Sequence, residues 1–382
     1  GAFGASINIE TDGLNKEAYA TLDNGYGSFN TRKHTAKVGT GLINDKFAFD
    51  ARLSQITSDG YIERAFSDLN SYYISGGYYG KRALVKLNIF SGNQTTYQSW
   101  DGTPEARVNN DEEGMDAYIS RNWLSEEEGL RLKNSGRNYN GFTYDNQVDH
   151  YEQTHYQLIS SFDLSQSLTL NMSLFLIHGE GYYEQYKGDR DFADYGLTDI
   201  VIGDQTINST DLIQRKWLNN NFYGNVFSLD YNPSQNVNIV LGGGVNRYDG
   251  DHYGRIIWAR NASDSEIRKP FYENNSIKDD FNIYLKATVN ATDNLSIYGD
   301  LQHRSINYKM EGGDDDGLDL NNSHSFNFFN PKLGLKMQLD DLSSVYASVA
   351  IGSKEPIRSD FVDHLDLTPK AEQMTDIEIG YS

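Results

Sequence analysis

Apolar side chains return at every second position through much of the chain. Phe47, Phe49, Ala51 and Leu53 interleave with Ala48, Asp50, Arg52 and Ser54. Leu168, Leu170, Met172, Leu174 and Leu176 alternate with Thr169, Asn171, Ser173, Phe175 and Ile177. The same beat recurs at Ile283, Leu285, Ala287 and Val289, and again at Leu333, Leu335, Met337 and Leu339. A two-residue period belongs to a β-strand with unlike faces, because successive Cβ atoms point to opposite sides of a sheet. The pattern predicts about 14 strands, near 17–23, 33–43, 46–57, 69–79, 83–98, 149–163, 167–187, 217–231, 236–249, 280–291, 294–310, 327–339, 343–352 and 373–382. Several run well past ten residues, longer than the five or six usual for globular strands.

The connections divide into two kinds. Short ones at Ile43 to Lys46, Gly80 to Arg82, Leu164 to Ser167, Asn232 to Asn236, Ala291 to Asn294 and Asp340 to Asp341 alternate with long polar ones. The long ones are expected at 24–32, 58–68, 99–148, 188–216, 250–279, 311–326 and 353–372. In an up-and-down sheet this parity collects every tight turn at one end and every long loop at the other. An all-β, antiparallel transmembrane β-barrel of outer-membrane type is built that way. A soluble one-sided sheet also alternates apolar and polar residues, but nothing obliges it to sort its turns by length. Within the third long loop, Ser125 followed by Glu126, Glu127 and Glu128 predicts a capped short helix.

Composition narrows the function classes. The 33 Lys and Arg against 54 Asp and Glu leave a net charge of −21, which argues against nucleic acid as a partner. The absence of cysteine removes disulfides, thiolate nucleophiles and Cys-based metal sites. No apolar run reaches the length of a spanning helix. A mean hydropathy of −0.64 still suits a barrel, whose lumen-facing half is polar. The first residues carry no signal-peptide pattern, so the expectation is a processed chain or an internal piece of a longer one.

Specific stretches then suggest a family. Gly1-Ala2-Phe3-Gly4-Ala5-Ser6-Ile7-Asn8-Ile9-Glu10-Thr11 resembles the end of the plug domain of TonB-dependent outer-membrane receptors. Lys354-Glu355-Pro356-Ile357-Arg358-Ser359-Asp360-Phe361 resembles the R-E-P-x-R-x-D-F motif of their barrels, with Lys354 replacing the usual Arg. Thr96 to Trp100, Asp149 to Gln157 and Gly179 to Tyr186 look like Bacteroidetes-type members. The resemblance implies residues 1–12 as the end of a plug and 13–382 as the N-terminal part of a barrel. About 14 of an expected 22 strands would be present, so the chain reads as a fragment. A self-contained 14-stranded porin-like channel is the rival, since 14 is an allowed number.

Candidate chemistry is sparse. Tyr and Trp anchor strands at the headgroup level and also make rigid contacts to ligands. Tyr97, Trp100, Tyr144, Tyr182, Tyr183, Tyr186 and Trp258 lie in or beside the longer loops and are the ligand-binding candidates. Asp314, Asp315, Asp316 and Asp319 gather in a glycine-rich loop, which reads as a solvated acidic loop or as a Ca²⁺ site of hard oxygen ligands. No resident metal or cofactor is expected. His150 and His155 are five apart on one expected strand, so they point to opposite faces. No motif for hydrolysis or nucleotide chemistry occurs, and the protein is not expected to be an enzyme. Glu355, Arg358 and Asp360 either face a ligand or form a charge network in the lumen.

Taken with the resemblance, these features imply a bacterial outer-membrane receptor for a scarce nutrient complex. A ferric siderophore is the first expectation, with cobalamin or haem next. The implied partners are the TonB complex, reached through segments upstream of this chain, and outer-membrane lipid with lipopolysaccharide.

Overall fold

The computed structural model describes residues 13–263, 266, 268, 270–362 and 369–382. The expected plug end at 1–12 lies outside the described residues. The elements are β1 (Tyr19–Gly27), β2 (Thr31–Gly39), β3 (Phe47–Ser58), β4 (Ser67–Tyr79), β5 (Ala83–Tyr97), α1 (Glu105–Asn109), α2 (Glu112–Arg121), α3 (Glu126–Asn134), β6 (Val148–Asp163) and β7 (Leu168–Asp191). After a small extramural hairpin, β8 (Ile200–Ile202) and β9 (Gln205–Ile207), come β10 (Ser209–Ser234), β11 (Val237–Ala259), β12 (Pro270–Asn290), β13 (Leu295–Gly312), β14 (Asn322–Gln338), β15 (Ser344–Lys354), α4 (Arg358–Val362) and β16 (Glu372–Tyr381). Apart from β8 and β9, all the strands form one antiparallel 14-stranded sheet in chain order, open between β1 and β16. The expected strand number and up-and-down antiparallel architecture are thus observed.

Register turns the alternation into two faces. Leu170, Leu229, Leu241, Leu285 and Leu301 stand opposite one another in a single row across β7, β10, β11, β12 and β13. Together with Leu53, Leu158, Leu174, Ile283, Leu333 and Ile379 they make one apolar face that suits lipid, where each buried side chain is favourable and each charge costly. The opposite parity carries Lys37, Asp50, Arg52, Asn88, Asp280, Arg304 and Lys332, and this is the lumen face.

Strand length differs round the sheet. β1 to β4 have 9, 9, 12 and 13 residues, close to the ~9–11 that cross a bilayer. β7, β10, β11 and β12 have 24, 26, 23 and 21. The loops expected at 188–216 and 250–279 are therefore largely strand, and the loop expected at 24–32 is a turn of Ser28, Phe29 and Asn30, with Phe29 and Asn30 at φ 58° and 53°. The reason is physical: above the lipid both faces are wet, so the apolar half of the alternation disappears while the hydrogen-bonded ladder continues.

Candidate ligand site at the mouth of the lumen

The tall strands β7 and β10 to β12 carry side chains on both faces above the apolar band, and register separates the aromatic candidates. On the lumen side, Tyr183 of β7 stands directly opposite Lys216 of β10. The Trp100 ring meets Tyr183 edge-on at 5.4 Å and Phe142 at 6.4 Å. The Lys216 ammonium pairs with Asp315 and lies 5.9 Å from the centroid of Tyr272. Phe271 continues the aromatic surface, 5.1 Å from Tyr272 and 4.8 Å from Tyr195. Burial pushes the Tyr195 phenol above its ordinary value, with Arg190 and Lys216 opposing, and its hydroxyl donates to Gln214 at 2.9 Å. Trp100 is 56% exposed, leaving an open aromatic face beside a lysine.

The loop from β5 to β6 holds Trp100 in place. Gln98 is buried and donates to the carbonyls of Val148 and Glu184 at 2.9 and 3.1 Å. Asn140 bridges back to the carbonyls of Gln98 and Glu63, both at 3.0 Å. Between these anchors α1 to α3 form a cap with its own core of Met115, Leu132 and Tyr139. The predicted Ser125 cap is present as a full capping box with Glu128. Arg131 lies over Tyr139 at 4.6 Å and donates to the carbonyls of Asn140 and Gly141 at 2.6 and 2.7 Å, tying the helices to the returning strand.

Other sequence candidates lie on the outward parity. Tyr97 is buried and donates to the Tyr144 carbonyl at 2.7 Å. Tyr144 and Asn146 strap the outer wall, each donating to Glu184 Oε1 at 2.7 Å, while Arg215 holds Oε2 at 2.7 Å. Burial, then the Glu184 carboxylate, push the Tyr144 phenol up to about 12. Tyr186 packs 6.3 Å from Tyr144, Tyr182 stands between His150 and Trp217, and Trp258 faces out opposite Ile213. Only Trp100 and Tyr183 of the seven come together at the lumen mouth.

The R-E-P-x-R-x-D-F-like stretch turns inward against β12 to β14. Glu355 accepts from Lys278 at 2.5 Å and from Arg304 at 2.9 Å, and Arg304 also holds Asp280. Burial pushes the Glu355 carboxyl up, but the Lys278 and Arg304 cations outweigh it and the net direction is down. After Pro356, Arg358 donates to Asn274 at 3.0 Å, Asp360 accepts the Ile357 amide at 2.8 Å, and Phe361 is buried 4.3 Å from His324. This arrangement is a charge network bracing the wall from inside.

The acidic loop is engaged locally. Asp314 Oδ1 accepts the amides of Asp316 and Leu318 at 3.1 and 2.8 Å, Asp319 accepts the Asn321 amide at 3.0 Å, and Asp315 is taken by Lys216. Among the described residues no three His, Asp or Glu converge as a metal site.

Lys216, Tyr272, Tyr195 and Phe142 went unnoticed in the sequence. The run Arg215-Lys216-Trp217 held the clue, since a strand through all three sends Lys216 inward and its neighbours outward.

An up-and-down antiparallel sheet with one lipid-suited face, tight turns at one end and a capped aromatic mouth at the other defines an outer-membrane-type β-barrel. The sequence profile described as "TonB dependent receptor-like, beta-barrel" matches residues 77–381, and the chain belongs to that family. Its members are outer-membrane β-barrel receptors and transporters rather than enzymes. The fold is shared with the siderophore receptor PiuA from Acinetobacter baumannii (TM-score 0.70, 10% identity, 100% of this chain and 57% of that one). It is also shared with the ferric-catecholate import receptor Fiu from E. coli K12 in its closed form (0.66, 14%, 96% and 56%). The third similar structure is P. aeruginosa FpvA bound to heterologous pyoverdine (0.65, 13%, 97% and 46%). The chain therefore spans about half the length of these solved structures. No curated protein matches it by sequence.

Proposed function

We propose that the whole protein is a TonB-coupled receptor that imports a ferric siderophore across the outer membrane. In this reading residues 1–12 end a plug, residues 13–382 build the barrel wall, and the chelate is received against Trp100, Tyr183, Tyr272 and Lys216. The observation that carries it is this lumen-facing cluster of rings beside an ammonium, 5.4 Å between Trp100 and Tyr183 and 5.9 Å between Lys216 and Tyr272. Ferric catecholates are anionic octahedral complexes that present the faces and edges of planar aromatic rings on their outside. Rings supply rigid contact area, and the Lys216 ammonium would exchange Asp315 for an anionic oxygen of the chelate. The likeness in fold to Fiu, PiuA and FpvA supports the same ligand class.

The test is uptake of radioactive iron from defined siderophores by a deletion strain carrying the full-length protein. Trp100→Ala with Tyr183→Ala is expected to weaken apparent affinity about tenfold or more, as loss of two buried-edge aromatic anchors does elsewhere. Abolition of uptake by a protonophore is expected from TonB coupling. Uptake insensitive to the protonophore would point to passive diffusion, and loss of no tested chelate would end the siderophore reading.

A further inference from the structure

The Lys216 ammonium at the lumen mouth already has a counter-ion, and that counter-ion comes from a distant part of the wall. Asp315, which takes it, lies 99 residues further along the chain, on the connection from β13 to β14. Lys216 of β10, Gly254 of β11 and Tyr272 of β12 stand side by side in one lumen-facing row. The connection therefore reaches back past β12 and β11 to bring a carboxylate to the lysine. A Cβ at Gly254 would run into the rings of Phe271 and Tyr272, so glycine there lets both rings lie close to the ammonium.

The reach of this connection is preset. The Asn274 side chain donates to the Gly313 carbonyl, and the Gly313 amide donates to the Glu273 carbonyl, both at 3.1 Å. Gly312, at φ 100°, passes so near the Glu273 carbonyl that a Cβ would collide with it. At the far end of the loop Leu320 is fully buried with Met310 and Phe361. Asp314 and Asp319 are spent on amides of the loop itself, whereas Asp315 is carried to the mouth.

A carboxylate held in this way competes with every anion that approaches Lys216. A tethered group acts at an effective concentration of about millimolar or more. Exchanging it for a single free oxygen anion conserves the charge-assisted hydrogen bond and adds nothing to it. An anion that also lays a ring against Trp100, Tyr183 or Tyr272 gains the aromatic contact as well, and so wins the exchange. We propose that Asp315 is a specificity-determining residue, an internal counter-anion that reserves Lys216 for aromatic anions and refuses simple ones such as phosphate. The proposal rests on the reading of this mouth as the chelate site.

The test is equilibrium dialysis of the full-length receptor in detergent against a ferric tris-catecholate carrying radioactive iron, at constant ionic strength, with and without about 10 mM phosphate. In the wild type, phosphate is expected to change the apparent affinity less than about twofold. Asp315→Asn is expected to bind the chelate about tenfold tighter without phosphate, and to lose most of that gain when phosphate is added. Asp316→Asn removes the same charge one residue further on and is expected to behave as the wild type. Folding of each variant is checked by its heat-dependent shift on a gel. Affinity unchanged or weakened in Asp315→Asn overturns the proposal, as does phosphate competing equally in variant and wild type. An Asp316→Asn variant that reproduces the effect would reduce it to loop charge and overturn it too. Trp100→Ala with Tyr183→Ala separates the two readings. If that pair leaves chelate binding intact, the site itself is wrong; if it weakens binding while Asp315→Asn changes nothing, only the role given to Asp315 fails.

Discussion

The low wall of β1 to β4 and the high wall of β7 and β10 to β12 share one lower half and differ in the upper one. In both, alternate residues supply an apolar face of about bilayer height, as in the Leu53 region of the first and the five-leucine row of the second. The low wall then closes in a turn of Ser28 to Asn30, while the high wall continues as a two-faced polar ribbon. The contrast teaches that the membrane sets strand length only up to its own thickness. What rises above it is free to be shaped by ligands, and there the rings and the ammonium of the candidate site lie.

Substitutions can break this division, beginning with the largest effect. Leu174→Arg, in the middle of the apolar band, is expected to destabilise the folded barrel by about 2–4 kcal/mol in urea titrations in lipid vesicles. A loss below about 1 kcal/mol would mean that the high wall does not meet lipid there. Glu355→Gln, which leaves Lys278 and Arg304 without their shared carboxylate, is expected to cost about 2 kcal/mol, less than a fully buried pair because the lumen is partly wet. Because the folded carboxyl sits below its ordinary 4.5, its contribution is complete above that pH and disappears as pH falls through the lower folded value. The variant should therefore lack this part of the wild-type acid sensitivity, which urea midpoints between pH 6 and pH 3 would reveal.

Smaller effects sharpen the boundary. Ser125→Ala removes a capping box and should loosen α3 by about 1 kcal/mol, read as faster amide exchange confined to the helical cap. Asn219→Arg lies on the same outward face as Leu174 but above the band, and should change stability by about 0.5 kcal/mol or less. A cost comparable to that of Leu174→Arg would place Asn219 in lipid and remove the distinction between the two halves of the wall.

Legibility in the sequence followed the same boundary. Where one face meets lipid, Leu168 to Leu176 and Leu333 to Leu339 announce their strands and even their orientation. Where both faces are wet, as from Gly188 to Asp191 or Ser209 to Lys216, polar residues on both sides mimic a loop, and the alternation stops short of the strand ends. The expected loop at 188–216 therefore hides the parity of Lys216, which only the ladder register with Tyr183 reveals. The Ser125 cap was readable because its signal is local. The sequence alone leaves Glu355 open between ligand contact and lumen network, because Lys278 and Arg304 are distant in sequence and no short pattern links them.

The order of the sheet also bears on how it is assembled. Each main-sheet strand pairs with its successor, so growth can proceed by adding hairpins, and tight turns close β4 to β5, β6 to β7, β10 to β11, β12 to β13 and β14 to β15. The longest connection joins β5 and β6, which must wait for the chain from Gln98 to Gln147 to return. Closing a span that long costs about 2 kcal/mol more in chain entropy than closing a tight turn. A helical cap with its own core shortens the effective span before the strands meet. The segment that carries Trp100 to the mouth thus also serves as a splint at the longest joint of the wall.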